Sequence, residues 1–245
     1  IYYLIAALVL GLYLRSSSSP LKLKIVPLQG RLFKDILGVG LPSAVGTIQV
    51  NLTVTFVTAA VGHFGADAIA GFGIASRLDY LQIPIIFGLG TAIVTMVGIN
   101  IGAGQIERAR RVAWVGAAIA FGITQTIGIL ATLFPMLWMR LFTADPDVQQ
   151  LGSQYLQIVA PAYGAVGLGL ALYFASQGLK RVLLPVLAGT VRMILAAFVG
   201  WASVIWFEAS LNSLFQIVAV AAIAYGGLTA VAVLPRRMFH LGRQQ

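Results

Sequence analysis

Six long apolar runs, at about 35–61, 68–99, 109–138, 150–176, 182–206 and 212–235, alternate with short connectors that hold most of the charge. At 1.5 Å of rise per residue, roughly 20 residues cross a hydrocarbon core about 30 Å thick, so each run predicts one transmembrane α-helix. Consecutive helices then run in opposite directions. Barrel strands would show short segments of strict apolar and polar alternation, and these are absent. A shorter apolar run, 1–14, reaches only about 21 Å and reads as the end of a truncated transmembrane helix. It opens on Ile1 and shows neither a basic leader nor a small-residue cleavage site. The expected organisation is therefore 1–14 as that helix end, 15–34 as a cytoplasmic linker with an interfacial helix around 30–36, 35–235 as a six-helix lobe, and 236–245 as a cytoplasmic tail.

The sign of the connectors alternates. Arg15, Lys22, Lys24, Arg31 and Lys34 precede the first full span; Arg108, Arg110 and Arg111, then Lys180 and Arg181, then Arg236, Arg237 and Arg243 follow at every second gap. Asp67, the pair Asp145 and Asp147, and Glu208 occupy the gaps between, with Arg140 the basic exception near that side. Basic loops are retained in the cytoplasm during insertion, which predicts a multi-pass protein of the plasma (inner) membrane with its C-terminus inside.

Composition agrees. The 245 residues are 59% hydrophobic and 9% charged, with a mean hydropathy of +0.93; a soluble domain carries about 25% charge. The net charge of +9 is spread over alternate connectors instead of one helix face, which argues against nucleic acid as a partner. With no cysteine and two distant histidines, neither disulfides nor a thiolate or histidine metal cluster is expected. No GxSxG, HExxH or P-loop pattern occurs, so no enzyme activity is expected and no cofactor beyond a coupling ion.

Charge inside hydrocarbon is costly, which singles out Arg77, Asp79 and Arg192. Arg77 and Asp79 are two residues apart and point about 200° from each other, so their partners belong on other helices. Asp79 reads either as a group that binds and releases sodium or a proton, or as a static ion pair with Arg192 or Arg77. Thr47, Asn51, Thr55 and Thr58 form one stripe of the first span, either lining a wet cavity or hydrogen-bonding to the next helix, although threonine hydroxyls often bond their own backbone and need no partner. Tyr163 is the best cavity candidate of the fourth span, where Tyr155 and Tyr173 read as interface anchors. Trp114 and Trp138 bracket the third span as interfacial indoles. Pro42, Pro84, Pro161 and Pro185 predict kinks, and the many glycines predict close helix packing.

The stretch Val97-Gly98-Ile99-Asn100-Ile101-Gly102-Ala103-Gly104 resembles the glycine-rich turn after the eighth helix of multidrug and toxic compound extrusion (MATE) transporters. Gly40-Leu41-Pro42, Arg77-x-Asp79, Leu141-Phe142-Thr143-x-Asp145, Tyr155-Leu156 with Pro161, and Gln177-Gly178 before Lys180-Arg181 follow the same family in order. The resemblance covers about 35–235 and implies one lobe, the C-terminal one, of a twelve-helix transporter built from two six-helix halves. It further implies antiport of small organic, often cationic, substrates against sodium or protons, with an N-terminal lobe as partner and membrane lipid as surroundings. Ile99 stands where the family usually has glutamine, and the acids that some branches carry on the seventh and tenth helices are absent, with Thr47, Asn51 and Tyr163 in their neighbourhoods. The alternatives are a lipid-linked oligosaccharide flippase of the same broad superfamily and a non-transporting membrane scaffold subunit.

Overall fold

The computed structural model describes residues 2–15 and 29–234. Residues 16–28 of the expected linker and the expected tail lie outside the described residues. The chain divides into two units, residues 1–37 and 38–245. The first holds helix α1 (Tyr2–Arg15) and the opening turns of α2 (Gly30–Gly62). No proline interrupts 30–41, so the segment expected as a separate interfacial helix is the start of the first span itself.

The fold is all-α, and every described element is a helix or a turn. Among the described residues, six helical stretches are long and apolar enough to cross a membrane: 30–62, 66–102, 106–133, 146–178, 183–207 and 211–233. Three of them are interrupted internally and one ends early, in ways that matter for function. The second is α3 (Ala66–Ala75) and α4 (Arg77–Gly102), joined at Ser76. The third, α5 (Ile106–Leu133), stops before the expected 138, because Phe134 turns to φ −128° and Pro135 opens a short α6 (Pro135–Met139). Proline suits that first helical position, where its missing N–H costs nothing. Trp138 thus lies outside the span it was expected to bracket, and its indole Nε1 donates to the Ile74 carbonyl at 3.0 Å.

The fourth span is α7 (Pro146–Val159), a 3₁₀ turn at Ala160–Ala162 that contains Pro161, and α8 (Tyr163–Gly178). Asp145 caps it, accepting from the N–H groups of Asp147 and Val148 at 2.9 and 3.3 Å. The fifth is α9 (Leu183–Met193), a π-helical stretch Ile194–Val199 and α10 (Gly200–Phe207); the sixth is α11 (Leu211–Val233).

α8 is the hub, packed on α4, α5 and α11, while α7 packs on α3. Small residues make this possible. A Cβ added to Gly71 of α3 would lie 2.8 Å from the Gly152 amide nitrogen of α7, and one on Gly152 would lie 2.8 Å from the Gly71 carbonyl. Without a hydrophobic driving force between helices in lipid, such backbone proximity and its dispersion contacts supply the association energy. Gly152→Leu is therefore expected to cost about 3 kcal/mol and lower the thermal unfolding temperature of the detergent-solubilised protein by about 5 °C or more. Gly73→Leu, with nothing within 4 Å of its Cβ position, is expected to leave it unchanged. Equal shifts for the two variants would refute a tight α3–α7 crossing.

Candidate functional site

The same crossing aims the polar groups. Phe72, next to Gly71, meets the Tyr155 ring edge-on at 5.2 Å, and Phe215 of α11 does so from another side at 5.1 Å. Tyr155 is only 3% exposed. With its ring packed against these two, its hydroxyl donates to Asp79 Oδ2 at 2.6 Å. Short O–H···O⁻ bonds of this length are charge-assisted and roughly twice as strong as neutral ones.

The other carboxylate oxygen is different. Asp79 Oδ1 is shielded from solvent and has no hydrogen-bond partner, and the same holds for the Tyr163 hydroxyl. That hydroxyl stands beside the carboxylate, yet the two do not meet in hydrogen-bonding geometry. Tyr163 begins α8 directly after the 3₁₀ turn. Its position depends on Gly128 of α5, where an added Cβ would collide with the Ala160 carbonyl and come within 3.2 Å of the Tyr163 Cβ. The turn leaves the Gly164 N–H in need of an acceptor, and Gln125 Oε1 of α5 provides it at 3.1 Å. Such side-chain repair of a broken helix is what hydrocarbon surroundings require.

Two unpartnered polar atoms side by side form an incomplete site. An ionised carboxylate only accepts, whereas a proton on Oδ1 would make it a donor that the Tyr163 oxygen can take. A monovalent cation would instead use Oδ1 and the Tyr163 oxygen together as ligands. Among the described residues no three of His, Asp and Glu gather as they would for a multivalent metal.

The two intramembrane arginines are placed elsewhere. Arg77 points away from Asp79, as the two-residue spacing requires, with its guanidinium 5.3 Å from the centre of the Phe142 ring in the connector after α6. Arg192 lies over the Tyr225 ring at 5.6 Å. It is within electrostatic range of Asp79, but neither arginine forms an ion pair with that carboxylate among the described residues.

Every member of the stripe on α2 bonds its own helix. Thr47, Asn51, Thr55 and Thr58 each donate to the carbonyl four residues earlier, at 3.4, 2.9, 2.9 and 2.7 Å. Thr47, Asn51 and Thr55 are exposed, and Thr58 half-buried. Protein-facing contact on α2 comes instead from Gln49, whose Nε2 donates to Thr190 Oγ1 of α9 at 2.7 Å.

The glycine-rich turn is a helix stop. Gly104 takes φ +72°, its N–H donates to the Ile101 carbonyl at 3.0 Å, and the Gln105 N–H donates to the Asn100 carbonyl at 2.8 Å. This is the paired bonding of a Schellman cap, which favours glycine at the left-handed position. Gly98 and Gly102 lie in the last turns of α4, Ala103 is the cap residue, and buried Asn100 bonds the Met96 carbonyl. The α8 stop repeats the pattern with Lys180 at φ +56°. The two stops share one end of the bundle, since a Cβ on Gly178 would lie 2.7 Å from the Val94 carbonyl.

Tyr155 is the residue that sequence reasoning misplaced. Its position near a span end suggested an interface anchor, and the available signal was the order of Arg77-x-Asp79 and Tyr155-Leu156 within one family pattern.

Comparison with known proteins gives a family match for the sequence. The sequence model of MatE covers residues 42–202, which take in Asp79, Tyr155, Tyr163 and Arg192. A probable multidrug resistance protein NorM of Thermotoga maritima is 31% identical over 126 residues, 51% of this chain and 27% of that protein. A probable multidrug resistance protein YoeA of Bacillus subtilis is 27% identical over 162 residues, 64% of this chain and 35% of its own length. The solved structure of the MATE transporter ClbM in complex with Rb⁺ superposes with a TM-score of 0.79 at 21% identity, over 87% of this chain and 50% of that one. At that identity the likeness is one of fold. The chain spans about a third of the length of these curated relatives and half of the solved chain. With well over half of its residues matched by the family model, this six-helix membrane chain belongs to the MatE family.

Proposed function

We propose that the chain is the C-terminal lobe of an ion-coupled multidrug antiporter, and that Asp79 is a coupling site for sodium or a proton. The single observation behind this reading is the pair of buried, unpartnered oxygens, Asp79 Oδ1 and the Tyr163 hydroxyl, next to a carboxylate oxygen already held by Tyr155. Leaving a buried polar atom unpaired costs about 1–3 kcal/mol, so a species that completes the site binds with that much advantage. A static ion pair would instead have placed Arg192 or Arg77 on the carboxylate. ClbM was solved in complex with Rb⁺, which supports a monovalent cation as ligand. The substrates are small organic compounds, often cationic, which cross through a cavity between this lobe and an N-terminal one. Thr47, Asn51 and Thr55 on the exposed side of α2 line that cavity, with Thr58 at its margin. No observation favours the flippase or scaffold alternatives.

The full-length protein in liposomes should expel a fluorescent cationic dye when a sodium or proton gradient is imposed. Dissipating the gradient with the matching ionophore should stop it; dye movement indifferent to both gradients would refute ion coupling.

Orientation follows from connector charge. Asp67, Asp145, Asp147 and Glu208 are external, and the turns holding Arg108, Arg110, Arg111, Lys180 and Arg181 are cytoplasmic. The C-terminus is then inside. Since the chain has no cysteine of its own, single cysteines at Asp147 and Glu208 should react with an impermeant thiol reagent from outside intact cells. Cysteines at Arg110 and Lys180 should react only after permeabilisation. The reverse pattern would invert the topology.

A further inference from the structure

The N-terminal turns of α5 leave more positive charge exposed than their neighbours neutralise. Glu107, Arg108, Arg110, Arg111, Val112 and Trp114 line a cleft of about 640 Å³. Glu107 meets Arg110 at 3.6 Å, and Arg108 donates to the Gln105 side chain at 3.3 Å. Arg111 is exposed and makes no ion pair or hydrogen bond among the described residues. Three guanidinium groups therefore face one carboxylate at the point where a span meets the aqueous boundary.

The surface below the arginines is apolar and continuous with them. Ala109, Ala113, Gly116, Ala117 and Ala120 turn the buried face of α5 into the bundle. On the outer face, Arg111 is followed at four-residue steps by Val115, Ile119 and Ile123, which are 52%, 48% and 38% exposed. Residues four apart stack on neighbouring turns of a helix, so this is an apolar lane that winds slowly round the outer face, leading away from a cationic head. Trp114 sits between the two regions, at the depth where an indole with its N–H toward water is favoured.

We propose that this cleft is a binding site for an anionic phospholipid, whose phosphate is held by Arg108 and Arg111, with Arg110 adding to the local potential, while one acyl chain lies along Val115, Ile119 and Ile123. Retention of basic loops explains charge at this end of the bundle but requires neither a cleft, nor an indole, nor an aligned apolar lane. Arginine suits the task because its planar fork pairs two donors with phosphate oxygens, and because it is weakly hydrated. The second basic turn, at Lys180 and Arg181, lies at the same end and adds to the local potential. The site is separate from Asp79 and does not depend on the ion-coupling reading.

The full-length protein, delipidated in neutral detergent, is titrated with a phosphatidylglycerol and followed by native mass spectrometry. Each juxtamembrane basic residue contributes about 1 kcal/mol toward an anionic surface, which is about fivefold in affinity. Arg111→Gln should weaken phosphatidylglycerol binding about fivefold, and the triple glutamine variant at 108, 110 and 111 roughly a hundredfold. The triple lysine variant, which keeps the charge but loses the planar fork, should bind more weakly than the unaltered protein and more tightly than the triple glutamine variant, and Arg140→Gln, at the opposite end, should keep all of the binding. Phosphatidylcholine, and glycerol phosphate as a soluble head group without chains, should bind far more weakly than phosphatidylglycerol. Unchanged phosphatidylglycerol affinity in Arg111→Gln and in the triple glutamine variant would overturn the site. Equal affinity for glycerol phosphate would overturn the lipid assignment and leave a site for free phosphate. Should the triple glutamine variant not fold, Arg111→Gln against the triple lysine variant decides alone.

Discussion

Asp79→Asn in the full-length transporter is expected to lower gradient-driven efflux at least tenfold while the protein still inserts and purifies normally. The amide keeps the size of the side chain and can still accept the Tyr155 hydrogen bond, but it carries no charge to be neutralised by a proton or a cation. A ligand shifts a conformational equilibrium only by the difference in its affinity for the two states, so a site that no longer binds the ion cannot couple its gradient to the cavity. Folding is a small confound, because Arg77 and Arg192 rest on aromatic rings and lose no ion pair when the carboxylate is removed. Tyr155→Phe refines the test. The ring keeps its perpendicular contacts with Phe72 and Phe215, only the 2.6 Å bond is lost, and a hydrogen bond to a charged group is worth about 1.5–3 kcal/mol. The expected result is an ion dependence displaced by roughly tenfold or more with the maximal rate less affected. Normal rate and normal ion dependence in Asp79→Asn would end the coupling assignment.

The spans were legible because hydropathy over twenty or more residues is a strong, additive signal, and their order and number carry over to the structure. Breaks inside spans were legible only where a residue forces them. Pro161 announced the irregularity that the structure resolves as a 3₁₀ turn, and Gly104 announced the left-handed cap of α4. The π-helical stretch Ile194–Val199 has no such marker; its residues are ordinary helix formers, and nothing local distinguishes an added backbone residue per turn. Lys180 in a left-handed conformation was equally invisible, since a non-glycine there is held by the bonds around it and not by its own preference.

Side-chain roles split along a similar line. Asp79 stood out because a carboxylate in hydrocarbon demands an explanation from its type alone. Tyr155 did not, because tyrosine is common at span ends and its importance lies in a contact 76 residues away. The spacing of the threonine stripe could be read, yet helical periodicity could not tell a wet face from a self-bonded one. All four hydrogen bonds go to the helix's own carbonyls, so the three threonines impose no partner, while Asn51 keeps a second N–H and its carbonyl oxygen for water or another lobe.

That indifference shapes what the chain should do by itself. Residues 1–245 expressed alone are expected to insert into membranes and to transport nothing. Repeat-built transporters hold substrate between two halves and change access by rocking one against the other, so a single lobe supplies one wall and has nothing to rock against. Its α2 face, with Thr47, Asn51 and Thr55 exposed, can be hidden against lipid or a second copy at a cost set mainly by Asn51, because the threonine hydroxyl donors are already spent on the backbone. A homodimer can thus form on purification without being active. Liposomes containing this polypeptide alone, under either a sodium or a proton gradient, should show no flux of a cationic dye above that of empty vesicles. Supplying the N-terminal lobe as a separate polypeptide should restore part of the flux, and Asp79→Asn in the added pair should abolish it again. Gradient-driven flux from the single polypeptide would mean that two copies build the cavity between them, and the half-transporter reading would have to give way to a symmetric dimer.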